Sequence, residues 1–391
     1  MGIPEKSKQQ LLADLCDLIA INTSNPPGRE AAAARLVIDR MTSIGGACSL
    51  QEFAPERANA ECRFRFSSPE EGPCLVFNSH IDVVPEGNVR WRHPAFQPHI
   101  DAGRVYGRGA CDAKGSVAAM MGGIRLALES GAKLKGELIF TAVAAEETGG
   151  LGTRHWVRQN PSDTRLRMGI VGEPTYLMPF IAHKGLSRRK VSVRGVSAHA
   201  SVPAQGRNAI YPLARLALFI EDLNRRLSGK VDPLLGSPVV SANVIHGGIK
   251  DNVIPDYCEL HMDRRRIPGE DNRQFDRELE SWVREMSAGD PSFQCSIEIL
   301  GADKEPVAIS PDEPIVKIVL ETIFEVTGRR ETPQALIAAT DMTFLVHDAG
   351  IPTVILGPGL GSHVVDESVE IAQLEEAATI YARLITRILG A

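Results

Sequence analysis

The sequence predicts an α/β protein with a largely parallel sheet, interrupted by a smaller inserted domain. First, short apolar runs alternate with helical segments along most of the chain, which is typical of an α/β layer structure. Second, several of these runs are apolar throughout, as strands covered on both faces are. Third, the pattern changes near residue 185 to strands in which polar and apolar residues alternate.

The first part of the chain predicts two helices followed by strands. Leu11, Leu15 and Leu18 recur at helical spacing and predict a helix over residues 7–20. The turn-rich segment NTSNPPGRE separates it from a second helix with one apolar face. The strands that follow are predicted at ECRFRF, CLVFNS, ELIFTAVA and MGIVG, with a helix at SVAAMMGGIRLALES.

The inserted segment has the element order β-α-β-β-α-β, the split ferredoxin-like arrangement. Its predicted elements are LSRRKVSVRGV, the helix GRNAIYPLARLALFIEDLNRRL, PVVSANVIHG, YCELHMDRRR, a helix over 270–288, and FQCSIEIL. The α/β domain then resumes with a helix at IVKIVLETIFEVTG, a buried strand at PTVILGPG and a closing helix at AQLEEAATIYARLITRILG. The expected domains are therefore 1–184 with 303–391, and 185–302.

Composition excludes several classes of protein. The 391 residues carry a net charge of -6, which argues against a nucleic-acid-binding or anionic-membrane surface. No apolar run is long enough for a transmembrane helix, and the amphipathic N-terminus is unlike a signal peptide. The seven cysteines are scattered without CxxC spacing, so neither a disulfide framework nor a sulfur-based zinc site is expected, and a cytoplasmic location fits best.

Candidate functional residues follow the predicted strands. In an open α/β sheet, ligands bind beyond the carboxyl ends of the strands. Any one acidic residue at a strand end is usually a helix cap or a solvated turn, but here five loops each bring a carboxylate or an imidazole to this edge. They are His80 and Asp82 after CLVFNS, Asp112 after GRVYGRGAC, Glu146 and Glu147 after LIFTAVAA, Glu173 after MGIVG, and His363 after TVILGPG.

This set of side chains predicts two divalent metal ions that share an oxygen donor. Histidine and carboxylates without a thiolate suit Zn²⁺ first, with Mn²⁺ or Co²⁺ as alternatives. Glu146 and Glu147 are adjacent, and adjacent residues of an extended segment point in opposite directions. One of them is therefore expected to bind metal while the other moves protons, and the cations would remove the repulsion between the two charges.

Taken together, the motifs resemble the M20 metallopeptidases and deacylases, a family that includes acetylornithine deacetylase, succinyl-diaminopimelate desuccinylase, aminoacylase and carboxypeptidase G2. The resemblance covers essentially the whole chain and implies a zinc-exopeptidase-like catalytic domain with a lid and dimerisation domain. It is carried by SHIDVVPEG, GRGACDAKGSVAAMM, AAEETGG, VGEPT, HKG, GVSAHASVPAQGRNAI, GGIKDNVIP and GSHVVDE.

The resemblance also implies a role for each residue of the predicted catalytic domain. Asp112 would bridge the two ions, and a cis peptide bond is expected between Asp112 and Ala113. The remaining roles are His80 and Glu173 on one ion, Glu147 and His363 on the other, Asp82 orienting a ligand, and Glu146 as the general base that activates the attacking water.

In the lid, the resemblance implies that His199 reaches into the site of a partner subunit and stabilises the oxyanion. Asn252 and Arg265 match positions that hold a substrate carboxylate or oxyanion, and the neighbours Arg264 and Arg266 are expected at the surface. A homodimer through the lid domain is therefore expected, and the two crossings between the domains suggest closure over the substrate.

The leading functional hypothesis is hydrolysis of the amide C–N bond of a small N-acyl amino acid. The stretch LIAATDMTFL departs from the deacetylase and desuccinylase patterns, and Thr340 and Asp341 within it are candidates for the substrate pocket. The alternatives are a metallo-exopeptidase acting on short peptides, a hydrolytic deaminase or amidohydrolase of an unusual small substrate, and a non-catalytic binding protein of the same fold.

Overall fold

The structure is a computed structural model that describes residues 3–67, 72–160, 167–271, 273–289 and 294–390. The chain divides into two compact units. The first unit comprises Met1–Ile181, Ile309–Gln334 and Thr340–Ala391, and the second comprises Ala182–Ala308 and Ala335–Ala339. The second unit is a few residues wider at both ends than the inserted domain predicted at 185–302, and it includes a short later segment that the sequence did not suggest.

Seven of the nine α-helices in the described residues lie close to predicted positions, whereas the fourth and the eighth along the chain were not predicted. The nine are α1 (Glu5–Ala20), α2 (Ala31–Thr42), α3 (Lys114–Glu129), α4 (Leu151–Gln159), α5 (Ile210–Leu227), α6 (Gln274–Gly289), α7 (Pro314–Thr327), α8 (Met342–His347) and α9 (Ile371–Leu389).

Most strands are short, and the longest belong to the second unit. They are β1 (Ala47–Ala54), β2 (Arg57–Arg65), β3 (Cys74–His80), β4 (His99–Asp101), β5 (Arg104–Tyr106), β6 (Glu137–Val143), β7 (Arg167–Gly172), β8 (Phe180–His183), β9 (Gly185–Arg194), β10 (Ala198–His199), β11 (Val239–Gly247), β12 (Val253–Ile254), β13 (Tyr257–Arg266), β14 (Gln294–Ile299), β15 (Val307–Ala308), β16 (Gln334–Leu336), β17 (Thr353–Ile355) and β18 (Ser368–Glu370).

The main sheet of the first unit is parallel only at its centre. The strand order is β1-β2-β6-β3-β7-β17-β8, and β6, β3, β7 and β17 run parallel. Every residue of β3, β6 and β7 is buried, as their continuous apolar runs predict. The strands β1, β2 and β8 pair antiparallel, so the prediction of a largely parallel sheet holds for the centre and is wrong for the flanks.

The helix α3 packs closely on α9 because glycine occurs at the contact. A Cβ atom on Gly123 would lie 2.6 Å from the Cβ of Tyr381, so a larger residue would push the helices apart. The side chain of Lys114, the first residue of α3, is fully buried and donates to the main-chain oxygens of Leu18 and Ile21 at 2.8 Å each. This packing holds the start of α3, and with it the segment that carries Asp112.

The second unit has the ferredoxin-like order that the sequence predicts. Its four-stranded antiparallel sheet has the order β11-β13-β9-β14, and the elements follow one another along the chain as β9, α5, β11, β13, α6 and β14. The burial of β9 alternates strictly, so one face of the strand is covered and the other is not.

The expectation for Arg264 and Arg266 is wrong. On β13 these two residues continue the buried face, at 5% and 1% exposure, while Arg265 lies on the opposite face. Arg264 pairs with Glu270 at 2.8 Å and Arg266 with Glu305 at 3.0 Å. The alternation was predicted correctly, but the sequence did not reveal that glutamates pair with the arginines on the covered face.

Two further findings concern the cysteines and the apolar segments of the sequence. Cys48 and Cys62 lie opposite each other on β1 and β2 and are joined by a disulfide bond, although the scattered cysteines gave no sign of one. Among the described residues, no helix combines the length and the apolar character that crossing a membrane requires.

Candidate metal centre

The four parallel strands at the centre of the first unit deliver the predicted side chains to one edge. The strand β3 ends at His80, and Glu173 directly follows the end of β7 at Gly172. Glu147 lies four residues after the end of β6, and His363 lies on the loop that follows β17. Because parallel strands end at the same edge, residues that are far apart in the sequence meet there.

Two groups of side chains could each hold a metal ion, and the first consists of His80, Asp112 and Glu173. Their ligand atoms all lie within 4.8 Å of one another, and the three residues are buried. The Nε2 atom of His80 is 2.9 Å from Oδ1 of Asp112 and 3.7 Å from Oε2 of Glu173. All three donor groups therefore face one small volume.

The second cluster consists of Asp112, Glu147 and His363, and it shares one carboxylate with the first. The Nε2 atom of His363 is 3.0 Å from Oε1 of Glu147 and 3.4 Å from Oδ2 of Asp112. Oδ1 of Asp112 faces His80, whereas Oδ2 faces His363. One carboxylate thus presents one oxygen to each cluster, which is the arrangement that a bridging ligand requires.

The donor set fits a pair of divalent ions. Each cluster offers one imidazole nitrogen and carboxylate oxygens, a combination suited to Zn²⁺ and to harder divalent ions. The thiol of Cys111, next to the bridging residue, is buried, and burial raises its pKa well above its usual value. Cys111 belongs to neither cluster, and both clusters offer only imidazole and carboxylate donors.

The electrostatics of the two imidazoles also suit a cation. Burial opposes charging of His80, but the nearby carboxylates of Glu173, Asp112 and Asp82 outweigh it and raise the pKa of His80 well above its usual value. The hydrogen bond with Glu147 raises the pKa of His363 to about 9, against partial burial. The imidazoles of His80 and His363 thus both lie in a field that favours positive charge. Either a proton or a metal ion can supply that charge.

Asp82 belongs to neither cluster, but it forms hydrogen bonds with His80 and with the main chain of the two glutamates. Its main-chain oxygen accepts a hydrogen bond from Nδ1 of His80 at 2.9 Å. A carbonyl can only accept, so Nδ1 carries the hydrogen and Nε2 is left to bind a ligand. The carboxylate of Asp82 is fully buried and accepts from the main-chain N–H groups of Glu146 and Glu147 at 3.1 and 3.2 Å.

The two adjacent glutamates lie in a turn, not on the extended segment that the sequence suggested. The strand β6 ends at Val143, and Ala145 has a positive φ of 65°. The turn closes through hydrogen bonds from Gly149 to the oxygen of Glu146 and from Gly150 to that of Ala145. The turn therefore fixes the backbone of both glutamates, and the alternation of a strand does not apply.

The peptide bond between Asp112 and Ala113 is cis, as the resemblance implies. It occurs directly before α3, whose first residue is Lys114.

Three residues of the centre were not singled out from the sequence. Asn25 donates from Nδ2 to Oδ2 of Asp82 at 2.8 Å and to Oγ1 of Thr148 at 2.9 Å, and so connects the turn-rich N-terminal loop with the glutamate turn. Arg108 and Glu367 form a buried ion pair at 2.6 Å beside Asp112. Both residues of that pair occur within quoted motifs, GRGACDAKG and GSHVVDE, but nothing in a motif shows that two such segments meet.

Thr340 and Asp341, the candidates for the substrate pocket, have other partners in the structure. They are 3% and 1% exposed. Oδ2 of Asp341 accepts from Oγ1 of Thr153 at 2.6 Å, and Oγ1 of Thr340 accepts from the main-chain N–H of Met342 at 3.2 Å. The contact of Asp341 with Thr153 connects the start of α8 to α4.

Of the three candidate residues in the second unit, His199 and Asn252 lie on neighbouring segments. Val253 pairs with His199 across β10 and β12, and the main-chain oxygen of Asn252 accepts from the N–H of Ala200 at 2.9 Å. His199 is exposed, and its Nδ1 accepts from the N–H of Ser201 at 3.2 Å, so its Nε2 carries the hydrogen when the ring is neutral.

Arg265 lies on β13, outside the segments around β10 and β12 that bring His199 and Asn252 together. Its Nε donates to Oδ1 of Asp263 at 2.7 Å, and its side chain is one-quarter exposed. The guanidinium is therefore held in place by a neighbouring carboxylate and still accessible.

Comparison with known proteins places these observations in a family. The family model described as peptidase family M20/M25/M40 matches residues 76–387. An acetylornithine deacetylase from Myxococcus xanthus is 29% identical over 97% of this chain and 98% of its own length. A succinyl-diaminopimelate desuccinylase from Methylobacterium radiotolerans is 30% identical over 94% of each chain.

Solved structures agree on the fold. The crystal structure of an M20 family metallo-carboxypeptidase from Sulfolobus solfataricus superposes with a TM-score of 0.78, at 18% identity over 96% of this chain and 98% of that one. The family model covers most of the chain, and the relatives match it over nearly their full length. Two candidate metal-binding clusters lie at the edge of the sheet that the sequence predicts. The chain therefore belongs to peptidase family M20/M25/M40 and is a hydrolase of that family.

Proposed function

We propose that this protein uses two divalent ions, most simply Zn²⁺, to hydrolyse the amide C–N bond of a small N-acyl amino acid. The observation that carries the proposal is the pair of clusters that share Asp112, with His80 and Glu173 on one side and Glu147 and His363 on the other. Relatives named as a deacetylase and a desuccinylase support an acylated amino acid as the substrate class.

Metal ions bound by these residues would polarise the scissile carbonyl and lower the pKa of a water molecule toward neutrality. Glu146 is next in sequence to the ligand Glu147, and its main-chain N–H is fixed by Asp82 at 3.1 Å. From this position Glu146 takes a proton from the attacking water and returns it to the nitrogen of the leaving amine, so it ends the reaction as a carboxylate. Glu146 therefore carries the same negative charge before and after each turnover.

The second unit is proposed to supply the groups that bind the rest of the substrate. With Nδ1 engaged by Ser201, His199 presents a donor hydrogen on Nε2, as stabilisation of an oxyanion requires. Asn252 lies beside it and offers an amide. Arg265 offers a guanidinium that suits a carboxylate.

We further propose that two copies of the chain pair through β11 and α5 of the second unit. The strand β11 is at the edge of its sheet, and Ile245 on it is 50% exposed. The same unit exposes Tyr211 and Leu218 of α5 and Ile249 just after β11. An edge strand flanked by exposed apolar side chains is a surface that a second strand can cover.

The test combines metal analysis with a substrate screen. The purified protein is loaded with Zn²⁺, Co²⁺ or Mn²⁺ and offered N-acetyl, N-succinyl, N-formyl and N-carbamoyl amino acids together with dipeptides. We expect about two ions per chain and the highest kcat/KM for an N-acyl amino acid. Higher turnover of dipeptides would replace the deacylase proposal with the exopeptidase alternative.

The Glu146→Gln variant tests the proton transfer. It should retain both ions, since Glu146 belongs to neither cluster, and lose about 100- to 10,000-fold in kcat because the proton acceptor is removed. The control is Glu129→Gln, which removes an exposed carboxylate at the end of α3 and should leave turnover unchanged. Parental turnover in Glu146→Gln would refute the assigned role.

A further inference from the structure

We infer that Glu367 is a positioning residue, which fixes the loop carrying Asp112 and the loop carrying His363 to each other. The inference rests on the proposed function, because it gives Glu367 a role only if these two residues bind metal. Glu367 itself would touch neither the ions nor the substrate.

One oxygen of Glu367 collects the main-chain donors that precede and include the shared ligand. Oε1 accepts from the N–H groups of Gly109 at 3.1 Å, Cys111 at 2.9 Å and Asp112 at 3.0 Å. Successive N–H groups that point to one place form a concave anion site, and here the anion is a side chain of the same protein. The main chain of Asp112 is thus tied directly to Glu367.

The other oxygen is bound by Arg108. Oε2 accepts from Nη1 of Arg108 at 2.6 Å, and the same guanidinium donates to the main-chain oxygens of Val364 at 3.2 Å and Pro85 at 3.3 Å. It also lies over the ring of Trp91, 4.9 Å from the centroid. Arg108 therefore makes a second contact with the loop that carries His363 and Glu367, and it also reaches the loop that follows Asp82.

The position of Glu367 in the sequence explains what these bonds accomplish. Glu367 lies four residues after His363 on the same loop, whereas its donors lie more than 250 residues earlier. A second tie joins the same segments, because the N–H of Gly107 donates to the main-chain oxygen of Glu367 at 3.0 Å. One side chain thereby sets the spacing between two groups of the second cluster.

The anchor is buried, and its two charged groups lie against each other. Glu367 and Arg108 are 1% and 3% exposed, so each charge would be costly without the other. Both oxygens of Glu367 accept hydrogen bonds, and the residue belongs to neither cluster. The groups behind metal ligands typically contribute 10- to 100-fold to metal affinity, and Glu367 occupies such a place for Asp112.

The test titrates the metal-free protein with Co²⁺ and follows heat and the visible absorption of the bound ion. The Glu367→Gln variant preserves length and volume but puts an amide N–H₂ against donors on one side or the other. We expect about 10- to 100-fold weaker Co²⁺ binding at the site that includes His363, and a changed absorption spectrum. Circular dichroism should stay that of the parent.

Glu370→Gln is the matched control. Glu370 pairs with Arg104 at 2.7 Å across β18 and β5, the same two stretches of chain, but the pair is partly exposed. Surface pairs contribute little, so this variant should bind Co²⁺ like the parent, with a similar spectrum. A second variant, Arg108→Lys, keeps the charge beside Glu367 and loses the fork of donors, and we expect an affinity between those of the parent and Glu367→Gln.

The outcomes separate this inference from the proposed function. If the parent binds two Co²⁺ ions and both Glu367→Gln and Arg108→Lys bind them with parental affinity and spectrum, Glu367 has no positioning role. The same conclusion follows if Glu367→Gln only lowers the thermal stability, whether it folds fully or in part, while Arg108→Lys leaves Co²⁺ binding intact. If the parent binds no Co²⁺, the metal centre itself is wrong and this inference fails with it.

Discussion

At the scale of single residues, the positive charge in the candidate metal centre comes either from protons or from metal ions. Without an ion, the carboxylates around His80 and His363 keep protons on both rings. With an ion, the ring nitrogens must be unprotonated to bind it. Metal and proton therefore compete for the same atoms.

This competition predicts the direction of the pH dependence. The pKa of His363 is raised from 6.5 to about 9, so between these values a binding ion must displace a proton. The apparent affinity for Zn²⁺ should therefore rise with pH up to about 9, with proton release in that window. Calorimetric titrations in two buffers with different heats of ionisation measure the protons released, and an affinity that is constant from pH 6.5 to 9 would contradict the prediction.

The metal-free protein should show the opposite trend. A group whose folded-state pKa is raised stabilises the fold fully below its unfolded pKa and loses that contribution as pH rises through the folded value. The stabilisation from the His363–Glu147 pair should thus be present at pH 6 and be lost by about pH 9. Denaturant unfolding of the chelated protein at several pH values measures this term.

The candidate ligands and Asp82 could be predicted from the sequence, whereas Asn25, Arg108 and Glu367 could not. His80, Glu147, Glu173 and His363 each follow an apolar strand, and that local pattern indicates where they meet. The partners of Glu367 are main-chain N–H groups, which every residue has, so no residue type marks them in advance. Asn25 likewise gains its role only through Asp82, which lies far from it in sequence.

At the scale of elements, the turn between β6 and α4 fixes the backbone of Glu146 and Glu147. Gly150 has a φ of 74°, and a Cβ atom there would lie 2.2 Å from Phe344 and 2.4 Å from Oδ1 of Asp341. This position therefore requires glycine for its backbone and for its lack of a side chain.

The Gly150→Ala variant should lower both stability and activity. The left-handed backbone costs about 1 kcal/mol for a residue with a Cβ atom, and overpacking adds roughly 1–3 kcal/mol. Because the strain is applied at the end of the glutamate turn, kcat should fall as well. Denaturant unfolding and kinetics with the best substrate give the two quantities.

Gly131→Ala provides the control for that experiment. Gly131 has a nearly identical φ of 71°, but nothing lies within 4 Å of its Cβ position. It should show only the backbone cost and keep full activity. Equal losses in both variants would mean that the close packing of the turn against α8 does not matter.

The strand pattern explains which elements were predicted. Buried parallel strands such as β3 and β7 leave continuous apolar runs, which are easy to recognise. The strand β1 was missed because it is an edge strand in which no residue is fully buried, so neither an apolar run nor a clean alternation marks it. The Gly149–Gly150 pair was a visible signal that the glutamates lie in a turn.

At the scale of the whole molecule, the ligands belong to the first unit and His199 belongs to the second. The proposed dimer assigns His199 to the partner's active site, and this assignment can be tested with two inactive variants. In a mixture of refolded His199→Ala and Glu146→Ala chains, half the dimers would be mixed, and each of these would contain one intact site. We expect about one quarter of the parental activity to return.

The control mixes Glu146→Ala with Glu147→Ala, both in the first unit. Every site then carries one defect or the other, and no activity should return. Activity that stays absent in the first mixture, although size-exclusion chromatography shows mixed dimers, would assign His199 to the site of its own chain or to none.

The interruption of the first unit has a consequence for the order of events during biosynthesis. The strand β17 lies between β7 and β8 in the sheet, and His363 follows it, yet both leave the ribosome only after the entire second unit has been made. Until then β7 lacks one neighbour, and the nascent polypeptide cannot close the second half of the centre. Filling of the second cluster must therefore be a late step of maturation, and a chain cut short before residue 363 would keep the three residues of the first cluster but lack His363 of the second.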